Sequence, residues 1–388
     1  MKLTQKQVEQ YIKKNWEKLT VLDIAKNLSM SESSVRRRSV KLGLPKKTEM
    51  VKTFTLEEIV EKDKADIEEK NNNKDLKSKY SFLLSENKVL QKEIEAFKKK
   101  SGNLHKIPKA VSTTSEATAV AMWSDWHLEE EIRPQWVNYK NAYNLEIAKS
   151  RANECIVNTV KLLKKEQQDA KITELIIWLG GDFITGNIHE ENVETALLLP
   201  MEAMIFAENI IKAGIQYILD NSDVNLVIPC NAGNHSRITK KQRHSTDVGN
   251  SLETVMYYHL AEYFKENPRV RFVLQEGYHL ILPVYDNFKI RFHHGHDIKF
   301  GGGVGGIYIP ARKAINQWQK SEDVQLDCFG HFHSFKVDGD LFVCNGSLIG
   351  WSPYAVAIKG DYEKPKQVFF LVDKRYGKSV ITPIRITS

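Results

Sequence analysis

From residue 118 onward, short apolar runs alternate with longer stretches whose apolar positions recur every three or four residues. Residues 119–123, 175–179, 226–229, 288–293 and 325–329 have the length and composition of strands buried in a sheet. Residues 144–167, 200–219 and 248–266 carry one apolar face at helical spacing. The alternation predicts an α/β domain in which packed sheets are flanked by helices. Within Phe288-Lys289-Ile290-Arg291-Phe292-His293-His294, period-two parity puts His294 on the apolar face and His293 on the other.

The first 50 residues have a different pattern. Thr20 is placed to cap a helix with Val21, Ile24, Ala25 and Leu28 on one face, and Ser31 to cap a second with Val35, Val40 and Leu42 inward. The second helix would present Ser33, Ser34, Arg36, Arg37, Arg38 and Lys41, hydroxyls and cations suited to a phosphate backbone or to guanine edges. In Ile24-Ala25-x-x-Leu28-x-Met30-Ser31, Val35 and Leu42-Gly43-Leu44 the segment resembles bacterial helix-turn-helix domains, which implies DNA as a partner. Ser29 stands where that family often has Gly at the turn. A helical docking module is the alternative.

Between 49 and 105 the chain is rich in Lys, Glu and Asn. Leu76, Tyr80, Leu83, Asn87, Leu90, Ile94 and Phe97 recur in alternating steps of four and three, the a/d spacing of a left-handed coiled coil, with Asn87 at an a position. A buried Asn there favours a parallel two-stranded register, so a homodimer through 76–97 is expected; a single helix laid on the domain that follows is the other reading. Residues 101–115, with Gly102, Pro108 and several Ser and Thr, read as a hinge. The expected domains are therefore 1–50, 51–115 and 116–388.

Composition and charge sharpen this division. Of the 388 residues, 41% are hydrophobic and 27% charged, enough to bury a substantial core. Residues 1–50 hold 12 Lys and Arg against 5 Asp and Glu, and the rest holds 44 of each, so the whole excess of +7 sits in the first segment. A small, strongly basic module suits a polyanion, because each phosphate neutralised releases condensed counterions. No apolar stretch approaches the ~20 residues of a membrane helix, and the polar N-terminus lacks the apolar core of a secretion signal. A cytoplasmic protein without membrane spans is expected. Cys155, Cys230, Cys328 and Cys344 are scattered without a Cys-x-x-Cys pair, so they read as reduced, mostly buried thiols.

Five motifs follow the predicted strands: Asp125-Trp126-His127, Gly181-Asp182, Gly233-Asn234-His235, His294-Gly295-His296 and Gly330-His331-Phe332-His333. They read as one two-metal site, gathered along one edge of a sheet. Their order and types resemble the calcineurin-like metallophosphoesterases, over about 118 to 388. That resemblance implies a two-sheet β-sandwich flanked by helices. It also implies one cation on Asp125, His127, Asp182 and His333, a second on Asp182, Asn234, His294 and His331, and Asp182 as the bridge. Mixed carboxylate, amide and imidazole ligands suit Mn²⁺, with Fe or Zn²⁺ as alternatives. Such a pair, about 3.5–4 Å apart, polarises phosphoryl oxygens and lowers the pKa of a bridging water, whose hydroxide attacks phosphorus in line. His235 matches the family's catalytic histidine. Ser236 departs from the pattern, which has an acidic residue there, so whatever orients His235 must come from elsewhere.

The Asp-Arg-Gly of phosphoprotein phosphatases is missing after Gly181-Asp182, and the chain is more similar to the branch of DNA-repair exonuclease-like phosphoesterases. The implied function is a Mn²⁺-dependent nuclease brought to DNA by the N-terminal segment. The alternatives are a phosphoesterase for a small phosphoester or nucleotide, with DNA binding for localisation, and an inert DNA-binding regulator. Arg237, Lys240 and Lys241, just past the third motif, are candidate contacts to a DNA backbone. Residues 301–306 satisfy Gly-x-Gly-x-x-Gly outside a βαβ context and read as a lid near Arg312 and Lys313. Trp126 is either a base-stacking platform or a core aromatic.

Overall fold

The computed structural model describes residues 4–47, 56–101, 115–299 and 306–387. It divides into two compact units, residues 1–109 and 110–388. Most of the expected hinge and residues 301–305 of the expected lid lie outside the described residues.

The first unit begins with three short helices, α1 (Gln5–Asn15), α2 (Val21–Asn27) and α3 (Glu32–Lys41). Val8, Ile12, Trp16, Val21, Ile24, Ala25 and Val35 form their shared core. Thr20 caps α2 as expected, its hydroxyl accepting the Asp23 N–H at 3.1 Å. Ser31 occupies the N-cap of α3, but its hydroxyl turns to Ser33 and Ser34 and caps no backbone N–H. The α2–α3 turn places Ser29 at φ +51°, a left-handed conformation that costs a non-glycine residue about 1–2 kcal/mol. Met30 N–H, donating to the Ala25 carbonyl at 2.9 Å, closes that turn.

One expectation fails here. Val40 is 77% exposed and Ser39 is buried in its place. Four residues past Val35 on a helix stay on its face, whereas five rotate by roughly 140° away from it. After α3 comes α4 (Leu56–Ser101), 46 residues and about 69 Å long. Every side chain described on it is exposed, including Leu76, Tyr80, Leu83, Leu90 and Ile94 of the heptad pattern.

In the second unit two sheets lie face to face. The first contains β1 (Ser115–Trp123), β2 (Ala170–Leu179), β3 (Asn225–Cys230) and β4 (Val270–Leu274) in parallel. It is extended on the β1 side by antiparallel β10 (Lys366–Asp373) and β11 (Gly377–Arg385), giving the order β11-β10-β1-β2-β3-β4. The second runs β5-β6-β7-β9-β8. Its members are β5 (Leu280–Tyr285), β6 (Phe288–Phe292), β7 (Leu326–Phe329), β8 (Lys336–Asp338) and β9 (Phe342–Cys344).

Strand alternation builds the layers. Ala119, Ala121 and Trp123 of β1 pack with α5 (Leu145–Glu166), α7 (Pro200–Asn221) and α8 (Leu252–Phe264), while Val120 and Met122 point into the core between the sheets. Trp178, Ile290, Phe292, Leu326 and Phe370 share that inner core. On the outer face of the second sheet Phe329 and Phe342 pack with α9 (Tyr308–Trp318). The short helices α6 (Glu190–Thr195) and α10 (Pro353–Ala357) sit in connections. The unit is thus a mixed α/β fold with two sheets between helices. All four cysteines are free and buried, and among the described residues no helix is long and apolar enough to cross a membrane.

Candidate metal centre

Asp125 and His127 follow β1, Asp182 follows β2, Asn234 follows β3, His294 follows β6, and His331 and His333 follow β7. Parallel strands end on a common edge, so loops far apart in sequence meet there. Asp125, His127, Asp182, His331 and His333 all have φ between +47° and +71°. Such left-handed conformations cost non-glycine residues roughly 1–3 kcal/mol each and persist only where surroundings impose them. The surroundings are visible: Asp125 N–H donates to the Gly181 carbonyl at 2.9 Å, Trp126 N–H to Asp182 O at 2.8 Å, and Gly330 N–H to His294 O at 2.8 Å.

The side chains so aimed form three overlapping groups, Asp125–His127–His333, His127–Asp182–His235 and Asp182–His294–His331, with donor atoms in each within 4.8 Å of one another. His127 Nε2 lies 3.2 Å from His333 Nε2, and His333 Nε2 lies 3.5 Å from Asp125 Oδ1. His294 Nε2 is 2.9 Å from Asp182 Oδ2 and 3.1 Å from Asn234 Oδ1. Asp182 belongs to the groups on both sides and is 1% exposed. Imidazole nitrogens and carboxylate oxygens converging this closely fit divalent cations, whose charge the buried acids would balance.

In His127, His294 and His235 the Nδ1 atom is occupied elsewhere, which leaves Nε2 for the site. His127 Nδ1 donates to Thr185 Oγ1 at 3.1 Å, and that hydroxyl donates to Glu130 Oε2 at 3.1 Å. His294 Nδ1 donates to the Gly180 carbonyl at 2.7 Å, and His235 Nδ1 to the Thr185 carbonyl at 2.9 Å. Partners of this kind fix the tautomer and ring orientation of metal-binding histidines. The Thr185 carbonyl is what orients His235 in the absence of an acidic residue at 236.

Charge states follow from burial and neighbours. Burial, aided by Asp182, pushes the Asp125 carboxyl up to about 7. Burial also holds His127 well below the usual histidine range, with the His235 and His333 imidazoles adding to it. Against burial, the Asp182 carboxylate raises His294 to about 10, and that same imidazole with His235 keeps Asp182 well below the carboxylate range. His333 is pushed down to about 4, chiefly by burial.

The supporting polar residues escaped the sequence reading. Glu129 Oε1 accepts the N–H groups of Thr185 and Gly186 at 2.7 and 2.8 Å. Gln367 Oε1 accepts the Ser124 N–H at 2.9 Å and the Trp126 indole N–H at 3.1 Å. Glu253 spans two ligand loops. Glu129 acts across 56 and 57 positions, Gln367 across 243 and 241, and Glu253 across 70 and 20, separations at which local pattern carries no signal.

The other candidates are placed as follows. Trp126 is fully buried against Trp123 and Phe183, so it is a core aromatic and no platform for a base. Arg237 is half-buried, with a guanidinium N–H donating to the Asn234 carbonyl at 2.7 Å, while Lys240 and Lys241 are exposed. Arg312 pairs with Asp338. In the first unit Ser33, Arg36, Arg37 and Lys41 are exposed; Ser34 and Arg38 are half-buried, and Arg38 reaches Met30 Sδ at 2.9 Å.

No family model matches the chain, and neither does any curated protein sequence. Among solved structures it is similar to a single mutant of Vps29 from Entamoeba histolytica, with 14% identity, TM-score 0.27, and coverage of 70% of this chain and 99% of that one. Vps29 from Cryptosporidium parvum is similar at 16% identity and TM-score 0.27, covering 69% and 97%. A dimetal phosphatase from Danio rerio is similar at 10% identity and TM-score 0.33, covering 70% and 99%.

Proposed function

We propose that this chain is a dinuclear-metal phosphoesterase acting on DNA, a Mn²⁺-dependent nuclease recruited by its N-terminal helices. The observation that carries the reading is the convergence of Asp125, His127, Asp182, Asn234, His294, His331 and His333 from five loops onto one buried point. Asp125, His127, Asp182 and His333 would hold one ion and Asp182, Asn234, His294 and His331 the other. When bound, the ions supply Lewis-acid polarisation of a phosphoryl oxygen and a water of lowered pKa. The protein's own groups do the rest. His235, with Nδ1–H committed to the Thr185 carbonyl, presents Nε2 to the site, where it can carry a proton toward a leaving oxygen. Asp125, His127, Asp182 and His294 are buried, so their charges act at a lower effective dielectric than in water.

DNA as substrate is supported by the basic first segment. α2 and α3 would form a helix-turn-helix whose second helix offers Ser33, Arg36, Arg37 and Lys41 outward, and Lys240 and Lys241 would meet the backbone nearer the ions. The test uses end-labelled single-stranded, double-stranded and nicked DNA beside a chromogenic phosphodiester, with Mn²⁺ added after chelation. Cleavage of linear DNA, reduced at least tenfold by Arg36→Ala with Arg37→Ala at 150 mM salt, is expected. Hydrolysis of the small ester with no cut DNA would instead favour a small phosphoester substrate, with the basic segment serving localisation.

α4 supports a homodimer. Leu76, Tyr80, Leu83, Leu90 and Ile94 are each more than half exposed, a row of apolar groups that a second copy in parallel register would cover around paired Asn87 amides. Sedimentation equilibrium is expected to give twice the chain mass at micromolar concentration, and Leu83→Lys with Leu90→Lys to raise the dimer dissociation constant more than tenfold. A monomer at tens of micromolar would remove the dimer.

A further inference from the structure

We infer that Glu253 is a positioning residue that holds the Asp182 and Asn234 loops at the separation needed for one of the two cations, the one on Asp182, Asn234, His294 and His331. The inference rests on the dinuclear reading above and names the part of the chain that builds its second half.

Glu253 is the second residue of α8 and is fully buried. Its Oε1 accepts the Phe183 N–H at 2.7 Å, and its Oε2 accepts the Gly233 N–H at 2.8 Å and the Ser236 hydroxyl at 3.0 Å. Phe183 is the residue after Asp182, and Gly233 the residue before Asn234. One carboxylate therefore ties the backbone of the bridging acid to that of the amide ligand, across 70 and 20 positions of sequence. Ser236 Oγ, 2.6 Å from Ser251 Oγ, is held on the same oxygen. Where the resembling family has an acid at the position of Ser236, this chain has a hydroxyl that donates to an acid from a helix instead.

Chemistry restricts what can stand at 253. All three incoming bonds fall on the two oxygens of one group, which a carboxylate provides and a carboxamide, with a single acceptor oxygen, does not. Among the described residues Glu253 reaches the other cation position only through the shared Asp182, whereas the Asn234 loop hangs on it directly. The Asp125 loop is held by Gln367 and by the Gly181 carbonyl, and His127 by Thr185. Loss of the clamp should hence reach one ion far more than its neighbour.

The full-length chain, stripped with chelator, is titrated with Mn²⁺ and followed by calorimetry and by the electron paramagnetic resonance of the ions. The parent is expected to bind two ions and show a spin-coupled pair. Glu253→Gln is expected to keep one ion within threefold of its parent affinity and to weaken the other by about 10–100-fold, with a single-ion spectrum at stoichiometric Mn²⁺. Ser236→Ala, which removes one of the three bonds and leaves the carboxylate in place, should weaken the same ion by a smaller factor; it decides the matter if Glu253→Gln does not fold. Two ions of parental affinity in either folded variant, or equal weakening of both, would overturn the inference while leaving the dinuclear reading intact. A parent that binds no Mn²⁺ would overturn both.

Discussion

Asp182→Asn is expected to leave a folded protein that binds the paired ions poorly and hydrolyses phosphodiesters at least ~10³-fold more slowly, the scale of a large electrostatic contribution removed from a buried site. The argument begins with position. Asp182 is 1% exposed, accepts the His235 N–H on Oδ1 at 2.8 Å and faces His294 Nε2 with Oδ2 at 2.9 Å. It belongs to the donor groups on both sides of the site, so it is the one carboxylate whose charge would serve both ions. Asparagine has the same shape and can keep the bond from His235 N–H through its carbonyl oxygen, so the loop should remain. It loses the negative charge and turns an NH₂ or a neutral oxygen toward His294. Melting in chelator is expected to stay within a few degrees of the parent, while Mn²⁺ stoichiometry and turnover fall together. Parental turnover in a Mn²⁺-loaded Asp182→Asn would sink the bridging role.

Gly233→Ala is expected to disrupt the centre from the backbone side. A Cβ on Gly233 would overlap both the Oδ1 and the backbone nitrogen of Asp182, and Gly181, at φ +86°, is packed just as closely against Gly233 from the other loop. The nitrogen is backbone and Oδ1 is held by the His235 N–H, so the added methyl must push the two loops apart. Overpacking of this kind costs about 1–3 kcal/mol, and the displacement acts directly on Asp182 and Asn234. Unfolding free energy in chelator should fall by that amount, and hydrolysis by at least ~10²-fold, the cost of a 1 Å misplacement. Gly249→Ala is the matched control, since a Cβ there meets nothing within 4 Å. Equal effects of the two substitutions would show that tolerance of alanine, and not loop separation, was being measured.

Much of this centre was legible because the motifs sit at strand ends, where periodicity is strongest. β1, β2, β3, β6 and β7 fall where the apolar runs predict them, with boundaries shifted by a few residues. α5 and α7 match their helical spacing, and α8 begins at Leu252, inside the stretch read as helix from 248. The short strands β8 and β9 are only three residues each, too short for a period to register. β10 is different: Val368 to Val372 is an apolar run as clear as β1, and no residue in it carries chemistry to draw the eye. Parity separated His294 from His293 correctly, since the first faces Asp182 and the second stacks on Phe329 with ring centres 5.1 Å apart.

What the sequence concealed is what holds the ligands still. Glu129, Glu253 and Gln367 read locally as an ordinary charged or polar residue, and each acquires its role only when strands distant in sequence meet. The left-handed conformations of Asp125, His127, Asp182, His331 and His333 were equally hidden, because Asp and His, though enriched there, adopt positive φ at only a minority of positions. Val40 shows the converse error: an apolar residue counted as core one position out of phase.

Crystals of the full chain grown with Mn²⁺, with anomalous scattering recorded at the Mn absorption edge, put the paired-ion centre to its sharpest test. Two anomalous peaks per chain are expected, with the Asp182 carboxylate between them and with His333 and His294 on opposite sides. A single peak, or none with the seven side chains still gathered as described, would contradict the dinuclear centre and the hydrolysis proposed from it.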